Sequence, residues 1–304
     1  MKKIWLVSIH LIIFLVIISC SGLKNTDEPT APHEVGIAYM NLESGEILAY
    51  NAHELFHAAS TMKTPIMFQL FKMRDKGIID LESEIPVKNQ FTSIVDGSLF
   101  SLPIESEQDE VLYPFIDQNL SFYEVIEKMI THSSNLATNI LIEYTGADSI
   151  GATMREIDAD GVLVMRGVED LRAFNLGLNN LTSAYGMMKV MEAVHGSDLV
   201  SDSSRQEMLN ILKGQHFNTM IPAGLPGDVV VAHKTGSITG IAHDAALVYP
   251  PDSPPFVLVI LTRGWDDHTM AQKVGARICS KVYDYHRGLL ERTDIAIPEL
   301  LSDE

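Results

Sequence analysis

Ser60-Thr61-Met62-Lys63 opens an apolar run that continues to Lys76, and the reading of this stretch decides the fold. Ile66, Met67, Leu70, Phe71 and Met73 lie nearly all round a helical wheel, which predicts a buried helix over residues 60–76. On a helix, positions i and i+3 share a face, so the Lys63 amine can reach the Ser60 hydroxyl. Two further strings follow at wide intervals: Ser133-Ser134-Asn135 about 70 residues on, and Lys234-Thr235-Gly236 about 100 residues after that. Together they supply the needs of acyl transfer: a hydroxyl nucleophile, an amine to take its proton, and a cation to hold an anionic substrate.

Outward from these strings the periodicity sorts the chain. Residues 35–40 and 47–52 read as strands of a hairpin turning at Gly45, and residues 229–233, 245–249 and 256–262 as three more strands. Between the two sets the pattern is helical, over residues 122–130, 136–144, 182–194 and 204–213, with a long C-terminal helix at 270–290. The fold class is therefore α/β in the α+β sense: an antiparallel sheet built from both chain ends with flanking helices, plus an inserted all-α lobe. The sheet lobe covers about 34–59 and 220–292, the helical lobe about 60–219, and a site is expected where they meet.

Lys2 and Lys3 precede an apolar run over residues 4–18, which marks residues 1–19 as a signal peptide and not as part of the domain at 34–304. The run ends in Ile17-Ile18-Ser19-Cys20, which resembles a bacterial lipobox and implies lipid on Cys20, with residues 20–33 as a tether. The expectation is an exported, membrane-anchored monomer held by lipid alone. The net charge of -18 argues against nucleic acid as a partner, and with Cys279 the only cysteine besides Cys20, an intrachain disulfide in the domain is excluded.

The three strings, in this order, resemble the S-x-x-K, S-D-N and K-T-G set of class A β-lactamases and related penicillin-binding serine enzymes. The resemblance covers roughly residues 34–290; residues 135–139 and 243–248 also fit. It implies that Ser60 is the nucleophile, Lys63 its proton acceptor, and Ser133 a proton relay to the leaving nitrogen. Asn135 would bind the substrate amide; Lys234, Thr235 and Ser237 its carboxylate. The backbone N–H groups of Ser60 and Ser237 would form an oxyanion hole, and Gly236 would let the strand approach the ligand. By composition alone Ser60 also suits an N-cap, Ser133 and Asn135 a turn, and Lys234 a strand edge. The implied substrate is a β-lactam or a cell-wall peptide, with no cofactor and no metal.

Three departures from the family pattern matter. Ser134 stands where Asp is usual. Residues 24–32 cannot make the family's first long helix. No E-x-x-L-N string exists; the corresponding stretch runs from Arg166-Gly167-Val168-Glu169-Asp170-Leu171 to Asn179-Asn180-Leu181-Thr182. Glu169 is the best substitute for the deacylating base and Asp170 the next, against a plain loop carboxylate paired with Arg166 or Arg172. Without a working base the enzyme would stay acylated, as a penicillin-binding protein does.

His53-Glu54-Leu55-Phe56-His57 is a literal H-E-x-x-H. It directly follows a predicted strand and stops just short of Ser60, which leaves no room for a zinc-binding helix. Residues 91–122 read as an insertion able to cover the groove, and His132, His233 and His243 as polar packing groups. Three functions stay open: a β-lactam hydrolase, a D-alanyl-D-alanine peptidase or esterase, and a non-catalytic β-lactam-binding protein.

Overall fold

The computed structural model describes residues 33–106, 110–295 and 297–302. The signal segment, Cys20 and the stretch 24–32 lie outside these.

Five strands form the central sheet: β1 (Glu34–Asn41), β2 (Ile47–Tyr50), β3 (Val230–Ile238), β4 (Ile241–Tyr249) and β5 (Phe256–Arg263). Their order is β2-β1-β5-β4-β3, and every neighbouring pair is antiparallel. The first and last parts of the chain thus meet between β1 and β5, with Ala38 opposite Val259. The strand period of two divides the apolar residues between two cores. Ala38, Met40, Ala245, Leu247, Val257, Val259 and Leu261 pack toward the helical lobe. Val35, Ile37, Tyr39, Ala246, Val248, Phe256, Leu258 and Ile260 join the core that also holds Val274, Ile278 and Val282. Both faces of the sheet are therefore covered, which is why β4 is buried from Ala242 to Val248.

The helices are α1 (Lys63–Asp75), α2 (Phe122–Thr131), α3 (Asn135–Thr145), α4 (Ala147–Glu156), α5 (Leu171–Asn175), α6 (Ala184–Gly196), α7 (Asp202–Lys213), α8 (His268–His286) and α9 (Ile297–Ser302). Helices α4, α5 and α9 escaped the sequence reading. Elsewhere capping residues set the starts, which shift by up to two residues for α6 and α7 and stay at Phe122 for α2. Ser183 caps α6 through the Gly186 N–H, Ser201 caps α7 through Ser204, and Ser121 and Glu124 form a capping box on α2. The predicted 60–76 helix also changes at its start: Ala59–Met62 is a 3-10 turn, and the α-helix begins at Lys63.

The 91–122 insertion includes a small hairpin pairing Phe91–Thr92 with Leu99–Phe100. Its Ser93 hydroxyl and Ile94 N–H donate to Asp170, so it braces the 166–180 loop that walls the groove.

Candidate active site

Ser60 sits in the 3-10 turn, one residue after Ala59, whose φ of 44° is left-handed. An alanine there is costly by about 1–2 kcal/mol. Several bonds hold the turn: the Ala59 N–H donates to His57 Nδ1 (3.1 Å), and the Thr61 hydroxyl to the Ala58 carbonyl (2.6 Å). Strand β3 passes directly over it. A Cβ on Gly236 would stand 3.0 Å from the Ser60 nitrogen and 3.1 Å from Thr61, so a larger residue would fit only if the nucleophile turn gave way by a few tenths of an ångström.

Lys63, in the first turn of α1, is fully buried. Its Nζ donates to the Ser133 carbonyl (2.5 Å), to Ser133 Oγ (3.2 Å) and to Asn135 Oδ1 (2.9 Å). From the other side, Lys234 Nζ donates to the same Ser133 Oγ (3.0 Å) and to the Thr235 carbonyl (2.9 Å). Two buried amines thus share one hydroxyl. Burial, with the Lys63 charge beside it, pushes the Lys234 amine well below its ordinary value, and the Asp244 carboxylate opposes that shift. Asp244 is itself buried, accepting from the Ile221 N–H (3.1 Å) and bonded to His233 Nδ1 (2.9 Å).

Ser133 has a φ of 59°, which turns its side chain between the two lysines as the chain enters α3. Ser134 follows as the N-cap of that helix, accepting from the Ala137 N–H (3.2 Å). The helix start therefore keeps a side-chain cap even though no Asp stands there. One turn on, Asn139 grips the opposite wall: its amide donates to the Val168 carbonyl (2.8 Å) and its Oδ1 accepts the Val168 N–H (2.7 Å).

That wall is the 166–180 loop. Asn180 closes its neck, accepting from the Met165 and Arg166 N–H groups (2.7 and 3.0 Å) and donating to the Arg166 carbonyl (2.9 Å). Arg166 is buried; it donates to the Gly167 carbonyl and Asn179 Oδ1 and lies over the Phe174 ring, while burial lowers its pKa. Arg172 pairs with Asp96. Asp170, the second candidate base, is spent on structure: it accepts from Ser93, from the Ile94 N–H and, as N-cap of α5, from the Ala173 N–H. The Asp170 charge and then that of Glu169 act on the Arg166 guanidinium against the effect of burial, and Glu169 itself has a left-handed φ of 63°.

Ser60, Ser133, Asn135, Glu169 and Ser237 all line one cavity of about 280 Å³, together with His57, Arg166, Val168, Leu171 and Phe174. Thr235 and Gly236 face an adjoining cavity of about 240 Å³ that shares Ser237. The sequence-predicted residues are thus brought together around one groove. What sequence reasoning missed is Asn139 and Asn180, which fix the loop, Asn180 from the cavity wall itself; Asp170, offered as the alternative base, proves to hold the loop instead. The H-E-x-x-H string does not form one helical face. His53 packs against Tyr185 with the two rings tilted, whereas Phe56–His57 is a short strand paired with Leu181–Thr182. His233 bonds Asp244 and Asn218, His243 bonds the His57 carbonyl and the Thr262 N–H, and His132 meets His216 edge-on.

A sheet from both chain ends, a helical lobe, and a Ser–Lys–Ser–Lys cluster at their junction define a β-lactamase-like serine hydrolase architecture. A family model described as the beta-lactamase enzyme family matches residues 23–286, and the chain belongs to that family. At the level of the family, the activity is hydrolysis of β-lactams. Among curated relatives, a beta-lactamase of Proteus vulgaris is 27% identical over 242 residues, covering 78% of this chain and 84% of that protein. A carbapenem-hydrolyzing beta-lactamase KPC of Klebsiella oxytoca is 25% identical over 236 residues, 75% of each chain. Among solved structures, PBP-A superposes with a TM-score of 0.74 at 26% identity, covering 87% of this chain and 93% of that one. A PBP-A mutant in acyl-enzyme complex with penicillin G gives a TM-score of 0.71 at 25% identity, covering 86% and 92%.

Proposed function

We propose that the protein is a class A-like serine enzyme that hydrolyses β-lactams through an ester on Ser60. The observation that carries this reading is the Ser133 hydroxyl held 3.2 Å from Lys63 Nζ and 3.0 Å from Lys234 Nζ, on the wall of the cavity that Ser60 lines. Ser60 Oγ attacks the lactam carbonyl and Lys63, in its neutral form, takes the hydroxyl proton. The Ser60 and Ser237 N–H groups stabilise the oxyanion. Ser133 passes a proton to the lactam nitrogen as the ring C–N bond breaks, and the bond to Ser60 remains. Lys234, Thr235 and Ser237 hold the substrate carboxylate, and Asn135 its side-chain amide. For deacylation, Glu169 draws a proton from a water that attacks the ester, and Ser60 leaves as the alcohol.

A second reading, a D-alanyl-D-alanine peptidase or esterase acting on cell-wall peptide, uses the same acylation. The loop position gripped by Asn139 favours it, because Val168 there offers no base, as does the likeness to PBP-A. Measured turnover of a chromogenic cephalosporin alongside a D-Ala-D-Ala peptide separates the two. Fast cephalosporin turnover supports the hydrolase; a persistent adduct with peptide cleavage replaces it with the second reading. The lipobox supports an exported, lipid-anchored protein, and an unmodified Cys20 in the mature native protein would refute that placement.

A further inference from the structure

We propose that His57 is a positioning residue for the nucleophile: its neutral imidazole holds Ala59 in the backbone conformation that aims Ser60, and ring protonation releases it. Six non-glycine residues among those described have positive φ, namely Asn51, Ala59, Asp117, Ser133, Asp158 and Glu169. Ala59 alone among them has no polar side-chain atom with which to support itself, so an outside group must hold it. His57 Nδ1 is that group, accepting the Ala59 N–H at 3.1 Å. An imidazole nitrogen accepts only when it carries no proton, so the bond requires the tautomer with hydrogen on Nε2.

The backbone that carries the ring is itself fixed. His57 pairs with Leu181, and its carbonyl is hydrogen-bonded to His243 Nε2 at 3.0 Å. It lines the same cavity as Ser60. Charged or titratable groups face it from each side: Arg166 on the loop, Glu169 across the cavity, His243 on β4, and Arg263 on β5, which donates to the Leu55 carbonyl. Burial, then the Arg166 charge, holds the His57 imidazole below its ordinary range, and burial pushes His243 down to about 4. Near neutral pH the acceptor is therefore present. The sign follows: the folded-state value is depressed, so the bond contributes fully above the ordinary histidine range and is lost as pH falls through the lower folded value.

Only the kinetic arm of the test rests on the acyl-enzyme reading. Single-turnover acylation of Ser60 by a chromogenic cephalosporin is followed from neutral to mildly acid pH in the native protein, His57→Ala and His57→Asn. An asparagine side chain also accepts an N–H two residues on, and it does not titrate. His57→Ala is expected to slow acylation about 3- to 10-fold, the worth of one hydrogen bond. His57→Asn should restore the rate and remove the acid fall. An unchanged acid limb in His57→Asn, or native speed in His57→Ala, would overturn the proposal. Independently, the Ala59 amide resonance should move with a single midpoint below the ordinary histidine range, and the ring nitrogen shifts should report the Nε2–H tautomer at neutral pH. If no adduct forms while these NMR signatures hold, the acyl-enzyme reading fails and the positioning stands; an Nδ1-protonated ring at neutral pH refutes the positioning itself.

Discussion

The Ser60 wall and the 166–180 loop face one cavity and are built in opposite ways. On the Ser60 side the groups that face the groove also hold each other, since Lys63, Ser133, Asn135 and Lys234 form a continuous hydrogen-bonded set. On the loop side the holding is done mostly by side chains outside the catalytic set: Asn139 grips the Val168 backbone, Asn180 at the loop's neck the Arg166 backbone, and Asp170 the brace hairpin. The difference teaches where each wall can vary. A change in the first wall disturbs chemistry and packing together, whereas the loop can exchange its facing residues while its frame persists. Val168 and Glu169 are among those facing residues, which is why the family's usual loop carboxylate can be missing here from a loop that is still well held.

The hardest test of this contrast is Ser60→Ala. No β-lactam adduct should form, and intact mass spectrometry reads it directly; an adduct on the variant would move the nucleophile elsewhere. Next in size is Glu169→Gln, which acts on the loop side alone. Because an amide cannot take the proton from water, turnover should fall about 10²–10⁴-fold with acylation nearly unchanged, and the acyl-enzyme should accumulate. An acyl-enzyme that already accumulates in the native protein would show that the loop lacks a base altogether.

Asp170→Ala tests the frame. It strips the acceptor from Ser93, the Ile94 N–H and the Ala173 N–H, all at a carboxylate only 2% exposed. Leaving a buried donor unmet costs about 1–3 kcal/mol, so a stability loss of that order is expected in denaturant melts. Deacylation should slow as Glu169 loses its placement, and acylation should not. Equal slowing of both would mean that the two walls are coupled, contrary to the contrast drawn above.

How much of this was legible in the sequence follows the same division. The strings at 60–63, 133–135 and 234–236 were readable because their residue types are themselves the chemistry, and the sheet was readable from alternating apolar strands at both ends. The loop was not. Glu169 and Asp170 are equivalent in type, and only distant partners separate them: Asp170 is claimed by Ser93, 77 residues away in the chain. Likewise nothing local says that Asn139 will grip Val168, 29 residues on, nor that Ala59 takes a left-handed turn held by His57. The short helices α4, α5 and α9 escaped because each spans ten residues or fewer, too few turns for a periodic pattern to stand out.

Ser134→Ala should have the smallest effect, and it bears on the family difference at that position. Sequence comparison alone makes the missing Asp look like a lost structural anchor beside the active site. In the structure Ser134 caps α3 through the Ala137 N–H at 3.2 Å, which a serine does as well as an aspartate. Removing that cap should cost about 1 kcal/mol. For a domain of this size that is a fall in Tm of about 2–4 °C. The acylation rate should hardly move, because the Lys63 and Lys234 bonds to Ser133 do not pass through the Ser134 side chain. A large loss of acylation with an unchanged Tm would show instead that residue 134 acts on the chemistry, and that the cap alone does not explain why serine suffices there.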